Sequence, residues 1–259
     1  NSNNGQSMIG RFFPLLHASH MNLILLDLKN TLDSGQYALS ARQQTHISKV
    51  IKAEQGDVLR VGILNGKIGE GVYEPPKDDQ LGYIHSVSLS IPAPQPLPMI
   101  LVMALPRPNM LKRTLQNIAA MGVKELYLIH SAKVEKSYWQ SPVLQTESIQ
   151  QCLLEGLEQA KDTIMPTWSL IPRFRPFVED QLPALLMDKV GLLAHPYLAK
   201  RCPIDIQKPC VLALGPEGGW NEFEVDKWHE AGMESVHLGD RILKVETVVP
   251  VLLSRLYPI

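Results

Sequence analysis

Two glycine-bearing segments in the last fifth of the chain carry residue types that could bind a ligand and act on it. The first, GPEGG at 215–219, follows an apolar run of strand length, Cys210–Leu214, and leads toward a helix near Asn221. Glycines at such a turn let the backbone approach a bound molecule closely. The segment matches neither the GxGxxG fingerprint nor the Lys-Ser/Thr ending of a P-loop, so a phosphate cradle is not indicated. A ligand loop and a simple tight strand-to-helix turn both remain open.

The second segment, LGDRILKVET at 238–247, places a glycine turn after a short strand. It then brings the cations Arg241 and Lys244, the carboxylate of Glu246 and the hydroxyl of Thr247 to the start of a predicted helix. Cations can stabilise negative charge that develops in a reaction, and a carboxylate can accept a proton. Arg241, Lys244 and Glu246 are therefore the candidate catalytic residues. The alternative is a salt-bridged helix start in which Glu246 and Thr247 satisfy free amides of the first turn.

The elements that must position these segments alternate between strand and helix. Strands are predicted at 99–104, 123–129, 190–194 and 210–214, and helices at about 109–121, 143–164, 222–231 and 246–256. This alternation predicts an α/β fold with a mostly parallel sheet covered on both faces. Because ligands bind beyond the carboxyl ends of parallel strands, residues 195–196, 215–219 and 238–243 are the first candidates for a site.

The first half of the chain has a different pattern, with short strands predicted at 22–26, 58–63, 67–73 and 83–91. The Asn65-Gly66 dipeptide between two of them is a strong hairpin signal. One helix is predicted at about 43–53. This half is expected to form a small β-barrel.

Four prolines in the seven residues 92–98 mark a domain boundary, because proline cannot join a sheet interior and favours a stiff, extended connector. The expected organisation is a barrel at 21–91, a linker at 92–98 and an α/β domain at 99–259. Residues 1–20 are expected to be an extension or a cloning remnant, with Met21 as a candidate natural start.

Composition excludes several classes of protein. No apolar run approaches the roughly 20 residues that span a bilayer, so no membrane association is expected. Cys152, Cys202 and Cys210 lack CxxC spacing and a suitable histidine pair, which predicts neither disulfides nor a metal site and favours a cytoplasmic protein. A net charge of -1 does not indicate a nucleic-acid-binding protein, so any RNA recognition must use a local basic patch.

Taken together, GPEGG and the LGDRILKVET run resemble the signatures of the RsmE family of 16S ribosomal RNA uridine-N3 methyltransferases, within the SPOUT superfamily. The resemblance extends from Met21 to the end of the chain. It includes THISKV at 45–50, QGD at 55–57, ALPRP at 104–108, VEKSYWQSP at 134–142, GLEQA at 156–160 and AHP at 194–196.

This resemblance implies an N-terminal PUA-like barrel that helps to hold RNA and a C-terminal domain with a deep trefoil knot. It also implies a homodimer, an S-adenosyl-L-methionine cofactor and 16S rRNA or the assembled small subunit as substrate. The implied cofactor-binding residues lie on three loops: Ala194, His195 and Pro196; Leu214, Gly215, Pro216, Glu217, Gly218 and Gly219; and Leu238, Gly239, Ile242 and Leu243. The backbone of these loops would read the adenine and ribose edges.

Two positions depart from the family pattern. Lys244 stands where the family usually has arginine, and Val248 where alanine is common. A lysine lacks the planar, bidentate fork of arginine, so the change weakens the case for activity more than for cofactor binding. It is the one feature that favours the alternative function, a non-catalytic RNA-binding or ribosome-assembly factor.

Other candidates are less specific. His46, Lys49 and Lys52 share one predicted helix and are the candidate RNA contacts, with a solvated charged face as the alternative. Tyr138 and Trp139 could stack on a base or pack in the protein. Glu179 and Asp180 are predicted to form a surface turn.

Overall fold

The computed structural model describes residues 22–32, 35–78, 81–196 and 199–258. The expectations for residues 1–20 and Met21 lie outside the described residues. Within the described ranges, two sheets of five and seven strands occupy the two halves of the chain.

The five-stranded sheet forms the nearly closed barrel that the sequence predicts. Its strands are β1 (Ile24–Leu26), β2 (Tyr37–Ala38), β3 (Val58–Ile63), β4 (Ile68–Glu74) and β5 (Tyr83–Ile91), in the order β1-β3-β4-β5-β2. Asn65, with a φ of 60°, and Gly66 form the turn between β3 and β4, which confirms the predicted hairpin. Asparagine tolerates this left-handed conformation better than most residues.

The helix of the barrel begins two residues before the predicted start. Ser40 and Gln43 form a capping box at its N-terminus, and α1 (Ala41–His46) runs into one π-helical stretch, Ile47–Ile51. Lys52 then adopts a left-handed conformation with a φ of 56° and ends the helix. The predicted end at residue 53 is therefore too late.

The seven-stranded sheet confirms the predicted α/β class. Its strands are β6 (Met99–Ala104), β7 (Glu125–Ile129), β8 (Thr167–Ile171), β9 (Val190–Ala194), β10 (Lys200–Arg201), β11 (Cys210–Leu214) and β12 (Glu234–His237). The order is β10-β12-β9-β11-β6-β7-β8, and every pair of neighbouring strands is parallel. β6 and β11 are buried along their whole length, as their continuous apolar sequences predict.

Helices cover this sheet. Their bounds are α2 (Pro108–Ala120), α3 (Thr146–Ala160), α4 (Phe174–Pro176), the π-helical stretch Phe177–Gln181, α5 (Leu182–Leu185), α6 (Glu222–Glu230) and α7 (Val245–Leu256). The predicted start of α3 at residue 143 is wrong, because Pro142–Leu144 form a separate 3-10 turn. Glu179 and Asp180 are exposed but lie in the π-helical stretch, so the predicted surface turn is wrong as well. None of the helices in the described ranges is long and apolar enough to cross a bilayer.

The two sheets share contacts and part of one core. Leu23, Leu25 and Ile68 of the barrel belong to the same buried cluster as the seven-stranded sheet. The Leu23 N–H donates to the Glu158 carbonyl at 3.1 Å, and the Asn65 N–H donates to the Thr163 carbonyl at 2.7 Å. The hairpin turn of the barrel therefore rests on the segment that follows α3.

Candidate functional site

The candidate site lies at the carboxyl ends of three neighbouring strands. Ala194, the last residue of β9, is paired in register with Leu214 of β11 on one side and Val236 of β12 on the other. Since the strands are parallel, the segments that follow them emerge side by side at one edge of the sheet. The structure thus brings together residues 195–196, 215–219 and 238–243, as the sequence predicts.

The glycine-rich loop is a tight turn between β11 and α6. The Gly219 N–H donates to the Pro216 carbonyl at 2.8 Å, and Gly219 has a φ of +70°. Asn221 then caps α6, and its side chain accepts a hydrogen bond from the Glu224 N–H at 2.8 Å. A Cβ on Gly219 would meet no atom within 4 Å, so its backbone borders open space. The tight turn and an approachable backbone coexist in this loop.

An aromatic cluster supports the loop from the protein interior. Trp220 is buried and its ring centroid lies 5.3 Å from that of Trp228 and 6.1 Å from that of Phe174. A Cβ on Gly215 would lie only 3.1 Å from Nε1 of Trp220. Glycine at this position therefore lets the loop pack directly on the indole.

The loop at 238–243, which follows β12, borders a cavity of about 670 Å³. Its lining residues are Ile204, Leu238, Gly239, Asp240, Arg241, Leu243, Val251, Ser254 and Arg255. Gly239 has a φ of +126° and open space where a Cβ would stand. Ile242 is fully exposed and does not line this cavity, and neither do the residues predicted on the other two loops.

The first loop contributes a histidine that favours its neutral form. The backbone N–H of His195 donates to the Val236 carbonyl at 3.1 Å, and this bond holds the end of β9 against β12. Burial lowers the pKa of the imidazole, and the positive charges of His229 and Lys133 lower it further. Pro196 is exposed at the tip of the described part of this loop.

The three candidate catalytic residues lie at the start of α7. Arg241 is exposed, Lys244 is the exposed N-cap residue of the helix, and Glu246 is half-buried in its first turn. Among the described residues, none of the ion pairs involves any of the three. The salt-bridged helix start is therefore not formed, and both cations are exposed to solvent.

The candidate RNA contacts lie at a different place. His46 and Lys49 line a cleft of about 940 Å³ between α1 and α3, together with Glu155 and Glu158. His46 Nε2 is 3.2 Å from the side-chain nitrogen of Asn22. Lys52 is exposed at the left-handed end of the helix and does not line the cleft.

Tyr138 and Trp139 are half-buried and pack against the main core. The Trp139 indole N–H donates to Nδ1 of His130 at 2.9 Å. These contacts favour the packing role over base stacking.

Within the described ranges, no group of three or more His, Cys, Asp or Glu residues could hold a metal ion, and the three cysteines are buried and unpaired.

Sequence reasoning missed two cations beside the glycine-rich loop. Lys133 Nζ donates to the Gly218 carbonyl at 2.8 Å. The backbone N–H of Arg107 donates to the Glu217 carboxylate at 3.2 Å. Both residues follow strands of the same sheet, β7 and β6. Their place at the carboxyl ends of two parallel strands is a weak sequence signal, and their closeness to the glycine-rich loop depends on the strand order.

Comparison with known proteins agrees with this geometry. The family model described as RNA methyltransferase domain matches residues 93–257. The chain is 27% identical over 238 residues to the ribosomal RNA small subunit methyltransferase E of Treponema pallidum, with 88% of this chain and 87% of that protein covered. It is 24% identical over 232 residues to ribosomal RNA small subunit methyltransferase E 1 of Borreliella burgdorferi, with 88% and 93% covered.

Two solved structures share the fold. A methyltransferase structure from Legionella pneumophila, in complex with bound SAM, has a TM-score of 0.73 at 20% identity and covers 90% of this chain and 95% of that one. The ribosomal RNA small subunit methyltransferase E of Neisseria gonorrhoeae, bound to S-adenosyl methionine, has a TM-score of 0.69 with the same identity and coverage. Because the family model matches more than half of the chain, this protein belongs to the RNA methyltransferase domain family.

Proposed function

We propose that this protein transfers a methyl group from S-adenosyl-L-methionine to N3 of a uridine in the 16S ribosomal RNA of the small subunit. The observation that carries the proposal is the meeting of three loops, two with glycines of positive φ, at one edge of a parallel sheet inside the region that matches the family. The relatives named small subunit methyltransferase E support the choice of substrate.

The residues present fit a bound S-adenosylmethionine. Gly219 and Gly239 border open space, so their main-chain groups can approach the flat edges of an adenosine. Ala194, His195 and Pro196 supply the neighbouring backbone, and a neutral His195 adds no charge to repel a sulfonium. When bound, the cofactor supplies an electrophilic methyl group.

The chain's own contribution to chemistry concerns the proton and charge of the target base. N3 of uridine must lose its proton as its bond to the methyl carbon forms, and negative charge spreads onto O2 and O4. Arg241 and Lys244 are exposed cations that can stabilise this charge. Glu246, which is half-buried in the first turn of α7, is the proposed acceptor of this proton or the residue that orients the base.

The barrel at 21–91 is proposed to hold RNA, joined by the linker at 92–98 to the methyl-transfer domain at 99–259. His46, Lys49 and Lys52 are its proposed phosphate contacts. Since Glu155 and Glu158 form the opposite wall of the cleft, the exposed side of α1 is the better place for a phosphate. A ribosomal substrate makes the cytoplasm the expected compartment.

The trefoil knot and the homodimer also belong to this proposal. Exposed apolar side chains lie along α7 and on the loops beside it: Ile242 is fully exposed, Ile204 is 66% exposed and Val251 is 38% exposed, and the last two line the cavity beside Arg241. Such a patch next to a site commonly marks a protein interface. A second copy of this chain that packs there would also cover the cavity beside Arg241. A strictly monomeric state in sedimentation equilibrium would remove the dimer from the proposal.

A comparison of donor binding with methyl transfer tests the function. The protein should bind S-adenosylmethionine in calorimetric titration and transfer labelled methyl to small ribosomal subunits that lack the modification. Arg241→Ala should lower kcat by about a hundredfold with little change in donor Kd, because its charge acts on the base and not on the donor. Donor binding without any transfer would favour the non-catalytic RNA-binding factor.

A further inference from the structure

Arg107 and Lys133 form a second cationic pair at the same edge of the sheet, outside the three proposed cofactor loops. Arg107 follows β6 and Lys133 follows β7, and both side chains are exposed. Because β11 is the neighbour of β6, these cations flank the glycine-rich loop on the side opposite β12.

Two hydrogen bonds attach this pair to the exposed tip of the loop. Lys133 donates to the Gly218 carbonyl, and the Arg107 backbone donates to the Glu217 carboxylate. Glu217 and Gly218 are exposed, whereas Leu214 at the strand end is buried. The contacts therefore lie at the exposed tip of the loop and leave the backbone of Gly219 open to the cofactor.

Two cations face solvent at this surface, beside the Glu217 carboxylate. The exposed guanidinium of Arg107 lies beside the Tyr138 hydroxyl, which engages one of its five donors, so the remaining donors are available to a ligand. The ammonium group of Lys133 uses one of its three N–H donors for the Gly218 carbonyl, and two remain. Burial lowers the pKa of His195, and the charges of His229 and Lys133 add to this effect.

The strand order sets the distance between the two cationic pairs. Arg241 and Lys244 follow β12, which is three strands away from β6 and four strands away from β7. At about 4.8 Å per strand, the pairs lie roughly 14 to 19 Å apart. One phosphate cannot contact both pairs, but a strand of RNA that crosses the edge of the sheet can.

We propose that Arg107 and Lys133 bind backbone phosphates of the target RNA beside the glycine-rich loop, so that the uridine lies between them and Arg241 with Lys244. This inference rests on the proposed function. The pair acts as positioning residues, because phosphate contacts fix the register of the RNA without reading its bases. The site is distinct from His46, Lys49 and Lys52 on the barrel.

Salt-dependent RNA binding tests this surface. In the double variant Arg107→Ala with Lys133→Ala, affinity for a 16S rRNA transcript should fall about tenfold, and the slope of log K against log salt should become shallower by about 1.4, because two single-strand phosphate contacts are lost. The Kd for S-adenosylmethionine should not change, which also reports that the variant is folded. The charge-preserving pair Arg107→Lys with Lys133→Arg should retain most of the slope.

Lys189→Ala with Lys208→Ala is the matched control. These lysines precede β9 and β11, at the amino ends of the strands and away from the proposed site. Their removal changes the net charge by the same amount. An equal loss in the control, or an unchanged slope in the Arg107 and Lys133 variant, would overturn the inference. Weaker donor binding with unchanged RNA binding would overturn it too, because the pair would then serve the donor carboxylate. Failure of the wild-type protein to transfer methyl would instead contradict the proposed function.

Discussion

Arg42 and Glu158 join the barrel to the α/β domain through two hydrogen bonds. The Arg42 guanidinium donates to both carboxylate oxygens of Glu158, at 2.8 and 2.9 Å. The Glu158 side chain is only 11% exposed, so little water can replace the guanidinium. This bidentate pair holds α1 against α3 and fixes one wall of the cleft between them.

We therefore expect Arg42→Ala to lower the free energy of unfolding by about 2 kcal/mol, because a largely buried carboxylate loses its partner. Urea denaturation measures the change. Arg175→Ala is the control, since the Arg175–Glu179 pair is more exposed, at 65% and 36%, and Glu179 keeps Lys227 as a second partner. The control should lose no more than about 0.5 kcal/mol. Equal effects of the two substitutions would show that the Arg42 pair contributes no more than a surface ion pair.

Gly156 determines how closely α3 approaches α2. A Cβ at this position would lie 2.3 Å from the Gln116 carbonyl oxygen and 3.0 Å from the Ala119 Cβ. Alanine normally stabilises a helix relative to glycine by about 1 kcal/mol. Here we expect Gly156→Ala to destabilise the protein by roughly 1 to 3 kcal/mol, because the two backbones must separate. Thermal unfolding measures the effect, and Gln159→Ala on the exposed face of α3 should stay within about 0.5 kcal/mol of wild type.

The sequence predicted buried elements better than edge elements. β6 and β11 are continuous apolar runs between turn residues, and their bounds were predicted correctly. β8 was missed because it is partly exposed at one edge of the sheet and has a mixed sequence, TWSLI. β10 was missed because it is two exposed, charged residues that pair with β12 alone. In such strands the pairing comes from tertiary structure and leaves no pattern of hydrophobic residues.

The candidate site was only partly accessible from sequence. The glycine-rich loop could be placed because a motif and a preceding strand mark it. Arg107 and Lys133 lie more than 80 residues before that loop, and only the order β11-β6-β7 brings them to it. The short strand that precedes the loop at 238–243 leaves a weaker signal, yet the glycine turn was predicted, and Gly239 has a positive φ.

Substitution of Gly239, with Gly232 as the control, tests whether the loop at 238–243 binds the cofactor. Both glycines have a backbone conformation that alanine rarely adopts. Both have a positive φ, +126° and +95°, and an added Cβ would meet no atom within 4 Å at either position. Alanine at either position should therefore cost stability by a similar amount, about 1 to 3 kcal/mol. Gly239→Ala alone should weaken S-adenosylmethionine binding, by about tenfold or more, because its backbone borders the proposed site. Calorimetry decides, and equal donor affinities in the two variants would remove Gly239 from the site.

His195 should titrate below its ordinary pKa of 6.5, since burial and the charges of His229 and Lys133 disfavour the protonated ring. The unfolded state then binds more protons than the folded state between the two pKa values, so stability rises with pH across that window. The contribution of His195 is present above pH 6.5 and is lost as the pH falls through the folded pKa. An NMR titration of the imidazole measures the pKa directly. Lys133→Ala should raise it toward the ordinary value, and a pKa at or above that value in the wild-type protein would contradict the described environment.

The most direct test of the proposed function identifies the methylated nucleoside. Small ribosomal subunits that lack the modification are incubated with the protein and labelled S-adenosylmethionine, and their RNA is digested and separated into nucleosides. We predict that the label appears in 3-methyluridine and that the signal falls sharply in Arg241→Ala. Label in a ribose-methylated nucleoside or in another base, or no label despite measurable binding of S-adenosylmethionine, would contradict the proposal.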